Sequence, residues 1–234
     1  MQATVAPGVA APRGRASRIE HWAPASGIVS VALLVAALVI GVTKLDTGDK
    51  LPKIAQHFGS DDYRTTTGVV LLLMLLGVAA FLWFLADLSS SARAVSQGML
   101  AFLVPVAGVV FIVSVAASLG SLVAPLWNIN HSELAGSDPT VTATAYQLIS
   151  SVSFSFMILA GVSGGLLMGA AATTAYRGGF LPRWAAITVI VAAVVAVVGT
   201  FIFVFPILLI LVWILVASTR RTLLVRRGVL AGRI

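Results

Sequence analysis

Apolar residues in this chain occur in long runs, not in the short alternations of a soluble domain. A hydrocarbon core about 30 Å thick is crossed by about 20 helical residues. We expect Pro125 to end the third run, Asp138 and Pro139 to open the fourth, and Gly178 and Gly179 to close it. The first four predicted spans are 25–43, 65–86, 97–124 and 143–173.

The stretch from Trp184 to Thr219 has two interpretations. As one helix it would extend about 54 Å, well beyond the hydrocarbon, and as two helices broken near Gly199 and Pro206 each part would have about 16 residues. With six spans, eleven basic and two acidic residues lie on one side, against four basic and six acidic residues on the other. Because basic loops stay in the cytoplasm, we predict spans at 184–200 and 203–219 and cytoplasmic termini.

Two tails flank the spans. Residues 1–24, rich in Ala, Pro, Gly and Arg, predict a disordered basic cytoplasmic tail, and residues 220–234 predict a basic juxtamembrane tail. A cleaved signal peptide is the alternative at the N-terminus, but no small-x-small cleavage site follows the first apolar run. The predicted fold class is all-α: residues 25–219 form a polytopic membrane bundle of six transmembrane helices.

Composition supports a membrane location. The chain is 59% hydrophobic and 10% charged, whereas an ordinary soluble domain carries about 25% charged residues. Its richness in Ala, Val, Leu and Gly is typical of high-GC bacteria, so we place it in a bacterial plasma membrane. It has no cysteine, which excludes disulfides, thiol catalysis and iron–sulfur clusters.

The net charge of +7 would suggest a nucleic-acid partner in a soluble protein. Here most arginines lie at the termini and in short loops beside apolar spans, where they favour anionic lipid headgroups on the cytoplasmic side. We therefore predict no nucleic-acid partner. The predicted headgroup contacts are Arg220, Arg221, Arg226 and Arg227.

No Asp, Glu, Lys, Arg or His lies inside a predicted span. Ion-coupled transporters usually keep a buried ionisable group, and haem held between helices usually needs histidine, so both functions are disfavoured. Asp87, at the inner end of the second span, is interpreted as a solvated carboxylate near Arg93. The sequence predicts no cofactor.

The fourth span carries Gly161, Gly165 and Gly169 at a spacing of four. Residues four apart share one helix face, so these glycines predict a groove for close helix packing. Two occupants remain open: another helix of this chain, or a partner helix or lipid tail. Serines 150, 151, 153 and 155 are expected to bond back to carbonyls of their own helix.

The predicted outer loops hold residue types that bind metals or catalyse hydrolysis. Their spacing matches no metal or hydrolase motif, so solvated loop charge is the favoured interpretation and no catalytic or metal site is assigned. The members of this outer polar cluster are His57, Asp61, Asp62, His131 and Glu133, with Asp138 beside them.

Two segments carry a family resemblance. Residues 54–58 (IAQHF) precede a span ending in LWFL at 82–85, and GFLPRW at 179–184 precedes FVFP at 203–206. This order resembles a group of six-span actinobacterial membrane proteins of unassigned activity, loosely similar to the DUF4386 type. The resemblance covers residues 25–220 and implies a six-span architecture but no chemistry.

Three functions are compatible with these features. The first is a non-enzymatic accessory or scaffold subunit that packs against other membrane proteins or a second copy through its glycine- and serine-lined faces. The alternative is a carrier or flippase for a lipid or other apolar molecule, which needs no charge inside the membrane. A membrane-embedded hydrolase using the outer polar cluster is the third, less favoured hypothesis.

Overall fold

The protein, described by a computed structural model over residues 22–44, 61–95, 98–131, 139–201 and 205–226, is helical with no strand in those ranges. Six of its helices are long and apolar enough to cross a membrane. The chain is therefore an all-α, multi-pass integral membrane protein, as its apolar runs predict. The helices are α1 (Ala23–Lys44), α2 (Asp61–Val95), α3 (Met99–His131), α4 (Pro139–Arg177), α5 (Arg183–Thr200) and α6 (Phe205–Arg226).

The helices form a ring in chain order, and α1 returns to contact α6. Helix α4 also contacts α2 and α6, which gives it the most neighbours in the bundle. The Ser218 hydroxyl of α6 donates a hydrogen bond to the carbonyl of Pro24, so α1 begins where α6 ends. We call this the arginine end of the bundle, because Arg93, Arg177 and Arg183 lie there on α2, α4 and α5.

The helix bounds sharpen the predicted spans. The break between Gly199 and Pro206 is confirmed, and it separates α5 from α6. The prediction that Pro125 ends the third helix is wrong, because α3 continues to His131. Proline removes one backbone donor, and membrane helices tolerate that loss where neighbouring groups compensate for it.

The centre of the bundle is an aromatic cluster. Phe81, Phe84 and Phe111 are fully buried, with ring centroids 5.5 Å apart for Phe81 and Phe111 and 6.2 Å apart for Phe81 and Phe84. A Cβ at Gly27 would lie 2.9 Å from the Phe84 ring, so α1 reaches the cluster only because it has glycine there. Lipid supplies no hydrophobic force between helices, and shape complementarity of this kind holds them together.

Candidate functional site

The predicted glycine groove of α4 is filled by α5 of the same chain. A Cβ on Gly161 would overlap the Thr200 side chain, and one on Gly165 would lie 2.9 Å from the backbone oxygen of Ala193. A Cβ on Gly169 would lie 3.8 Å from the Cβ of Ala193, which is an ordinary van der Waals contact. Of the two occupants that the sequence left open, the groove holds an internal helix.

One of the predicted serines joins two helices. The hydroxyls of Ser118 on α3 and Ser153 on α4 lie 2.9 Å apart, and each also lies within 3.0 Å of the other residue's backbone carbonyl. Ser153 therefore does not bond back to its own helix, whereas Ser155 does, through the carbonyl of Ser151. The α3–α4 contact thus uses a buried polar pair.

Three residues of the outer polar cluster lie at the end of the bundle opposite the arginine end. Asp61 and Asp62 are the first residues of α2, and His131 is the last residue of α3. His57 and Glu133, and the side chains of the other three, lie outside the described parts of the structure. A site built from these residues stays a prediction.

A cavity of about 120 Å³ lies at the arginine end. It is partly open and lies between α2, α3, α4, α6 and the loop between α4 and α5. Small and aliphatic side chains form most of its wall. The lining residues are Leu88, Ser91, Ala92, Val95, Val104, Ala171, Ala172, Thr174, Ala175, Phe180, Leu181, Trp213, Ala217, Arg220, Arg221 and Leu224.

The cavity is polar at one end only. Val104 and Trp213 lie deepest along α3 and α6, whereas Arg220 and Arg221 lie about two helical turns further out on α6. The Thr174 hydroxyl donates to the carbonyl of Ala170 in its own helix, so it offers its proton to the helix and not to the cavity. The inner wall therefore favours hydrocarbon, and the outer rim is cationic.

The loop that closes the cavity is set by the end of α4. Gly179 has φ +70°, a left-handed conformation that favours glycine, and its N–H donates to the carbonyl of Tyr176 at 3.0 Å. The N–H of Phe180 donates back to the carbonyl of Ala175 at 2.9 Å, which completes a Schellman motif. The predicted Gly178–Gly179 terminator thereby folds Phe180 and Leu181 back over the cavity.

The two arginines at the rim have different partners. Arg221 donates through Nε to Asp87 Oδ2 at 2.9 Å and through its guanidinium to the Ser91 hydroxyl, which joins α6 to α2. Arg220 donates to the carbonyl of Phe180 at 3.4 Å. Asp87 is the only carboxylate among the side chains that the structure describes, and it is paired with Arg221.

These contacts correct one prediction. Asp87 is expected from the sequence to lie near Arg93, but its partner is Arg221, 134 residues away in the chain. Arg221, whose side chain is 20% exposed, pairs with Asp87 and joins two helices, while its contact with lipid headgroups stays a prediction. Arg220 is exposed and keeps free donor capacity. The Arg226 side chain and Arg227 lie outside the described residues.

The sequence alone did not reveal the cavity. The nearest signal is the run of small residues at 170–175 (AAATTA), which is equally typical of close helix packing. No protein-family model, curated protein or solved structure matches this chain. The candidate function therefore rests on the geometry of the cavity and its rim.

Proposed function

We propose that this membrane protein binds an amphiphilic molecule at the arginine end and acts as a carrier for lipid-like compounds. The observation that carries the proposal is a hydrocarbon-lined cavity whose rim bears Arg220 and Arg221. An apolar chain gains free energy by filling such a cavity, since aliphatic cavities of this kind stay dry when empty. An arginine at the rim orients the head of the molecule, because guanidinium groups bind anionic oxygens strongly.

The same geometry weakens the motivation for an accessory subunit. The glycine face of α4 contacts α5, and Ser153 contacts Ser118, so the faces expected to bind a partner are used inside the chain. A different surface supports the accessory role as second candidate. Helix α5 exposes one aliphatic face, on which a membrane-protein partner or a second copy would pack; its residues are Ile187, Ile190, Val191, Val194, Val195 and Val198.

Extraction in polymer nanodiscs without detergent, followed by mass spectrometry of bound lipids, tests the proposal. We expect one amphiphile class to be enriched over the bulk membrane in the wild-type protein. Ala175→Leu, which fills the cavity, should abolish the enrichment, whereas Ala79→Leu on the exposed surface of α2 should retain it. A stoichiometric protein partner without an enriched lipid would support the accessory role instead.

We also propose that the arginine end faces the cytoplasm of a bacterial plasma membrane, from the positive-inside bias of its loops. The absence of native cysteine makes single-cysteine labelling clean. In intact cells, Ser90→Cys at the arginine end should be protected from an impermeant maleimide, and Thr65→Cys near the other end should react. The reverse pattern would invert the orientation.

A further inference from the structure

We infer that the cavity selects an amphiphile with one hydrocarbon chain and an anionic headgroup, a carboxylate or a phosphate, and that Arg220 binds that headgroup. The inference rests on the proposed function and names its ligand class. Three observations carry it: the volume of the cavity, the charge at its rim and the pairing of Arg221.

The volume restricts the number of chains. An aliphatic cavity of about 150 Å³ accommodates one benzene molecule. The 120 Å³ found here is smaller, so by the same scale it holds one chain segment of about five carbons. A second chain of a diacyl lipid would have to remain outside this volume, so a single-chain amphiphile fits the site best.

The rim restricts the charge of the headgroup. Arg220 and Arg221 contribute two positive charges and Asp87 contributes one negative charge, which leaves one positive charge at the rim. That unbalanced charge belongs to Arg220, because Arg221 is paired with Asp87. A quaternary ammonium headgroup would be repelled by this cation, and no unpaired carboxylate among the described side chains would bind it.

Local geometry holds Arg220 in place for the headgroup. Its guanidinium donates to the carbonyl of Phe180 in the loop that closes the cavity. An arginine has five N–H donors, so this contact directs the side chain toward the loop and leaves donors for two oxygens of a carboxylate or phosphate. The headgroup would then sit between the loop and the last turns of α6, with the chain directed inward toward Trp213.

Equilibrium binding to the full chain in nanodiscs of zwitterionic lipid tests the inference, with empty nanodiscs as the blank. The three probes are radiolabelled palmitate, lysophosphatidate and the neutral monopalmitoylglycerol. We expect both anionic probes to bind at least about tenfold more tightly than the neutral one, as charge-assisted hydrogen bonds to a guanidinium allow. The relative affinities of palmitate and lysophosphatidate separate a carboxylate ligand from a phosphate ligand.

Four variants assign the effect to the rim. Arg220→Gln should lower the affinity for the anionic probes about tenfold, to the level of the neutral probe, and leave the neutral probe unchanged. Arg220→Lys should retain most of the anion preference, and Arg93→Gln, an exposed arginine at the same end that does not line the cavity, should retain all of it. Asp87→Asn frees Arg221 and should tighten lysophosphatidate more than palmitate.

The outcomes separate this inference from the proposed function. If no probe binds saturably, the proposed function fails, and the inference fails with it. If all three probes bind equally well and Arg220→Gln changes none of them, the carrier proposal stands and the anion selectivity is overturned. Loss of neutral-probe binding in Arg220→Gln would also overturn the inference, since the arginine would then shape the cavity and not bind charge.

Discussion

Helix α4 carries small residues on two faces, and the two faces differ in what lies against them. Gly161 and Gly165 face α5, whose Val197 and Thr200 side chains occupy the groove completely. Ala171 and Ala175, on the other face, line a cavity of about 120 Å³. A stripe of small residues therefore indicates that two helices pack closely only where the neighbouring helix has a side chain that fills the stripe.

The opposing residues explain the difference. At Gly161 and Gly165 a larger side chain of α5 fills the gap, and the backbones of α4 and α5 approach closely. At the alanine face, alanine meets alanine: Ala92 on α2, Ala171 on α4 and Ala217 on α6 all line the same space. The Asp87–Arg221 pair joins α6 to α2 beside this space and sets the distance between the two helices. The first region is tightly packed, and the second is the cavity that we propose binds a ligand.

The largest expected loss of stability comes from a bulky substitution at the glycine face of α4. Gly165→Leu should lower the free energy of unfolding by about 3 kcal/mol, because the new side chain meets Val197 and the backbone oxygen of Ala193. Thermal unfolding in nanodiscs measures the loss. Gly120→Leu on α3 is the matched control, since a Cβ there has no neighbour within 4 Å. Equal losses in both variants would show that the glycine face is not special.

Filling the cavity should leave the stability unchanged but weaken amphiphile binding. Ala175→Leu adds volume to empty space, so thermal stability should be maintained while amphiphile affinity falls at least about tenfold, equivalent to about 1.4 kcal/mol. Ala79→Leu, exposed on α2, should change neither quantity. An unfolded Ala175→Leu protein would mean that this space is as tightly packed as the glycine face.

The Asp87–Arg221 pair between α2 and α6 should contribute less to the free energy of unfolding than the glycine face does. Asp87→Asn removes the ion pair with Arg221 and should lower the free energy of unfolding by about 1 kcal/mol, a modest value because both side chains are about one-fifth exposed. A double-mutant cycle with Arg221→Gln isolates the interaction. Additive losses from the two substitutions would show that the pair does not hold the helices.

The smallest effect is expected at the α3–α4 contact. Ser118→Ala and Ser153→Ala should show a coupling energy of about 0.6 kcal/mol, the typical value for a hydrogen bond between membrane helices. Ser155→Ala, whose hydroxyl bonds only within its own helix in the described structure, serves as the control and should be nearly neutral. A coupling close to zero would remove the serine pair from the determinants of packing.

The fold was predictable because hydrophobic length and charge are local properties of the sequence. The α5–α6 break and the closing glycines of α4 followed from Pro206, Gly178 and Gly179. The cavity and the Asp87–Arg221 pair were not predictable, since they depend on which helix faces lie together. Asp87 and Arg221 are 134 positions apart, so no local pattern in the sequence indicates their contact. The run of small residues at 170–175 is compatible with a cavity and with a packed interface equally well.

Photo-crosslinking with a diazirine-labelled fatty acid shows whether the acyl chain lies in the cavity or on the exposed surface of α5. We expect labelling of residues 171–175 and 213–224 that unlabelled palmitate competes away and that Ala175→Leu abolishes. Labelling of the outward face of α5, at 187–198, should not be competed, since bulk lipid reaches it freely. Competable labelling confined to α5, or none at the cavity, would contradict the account.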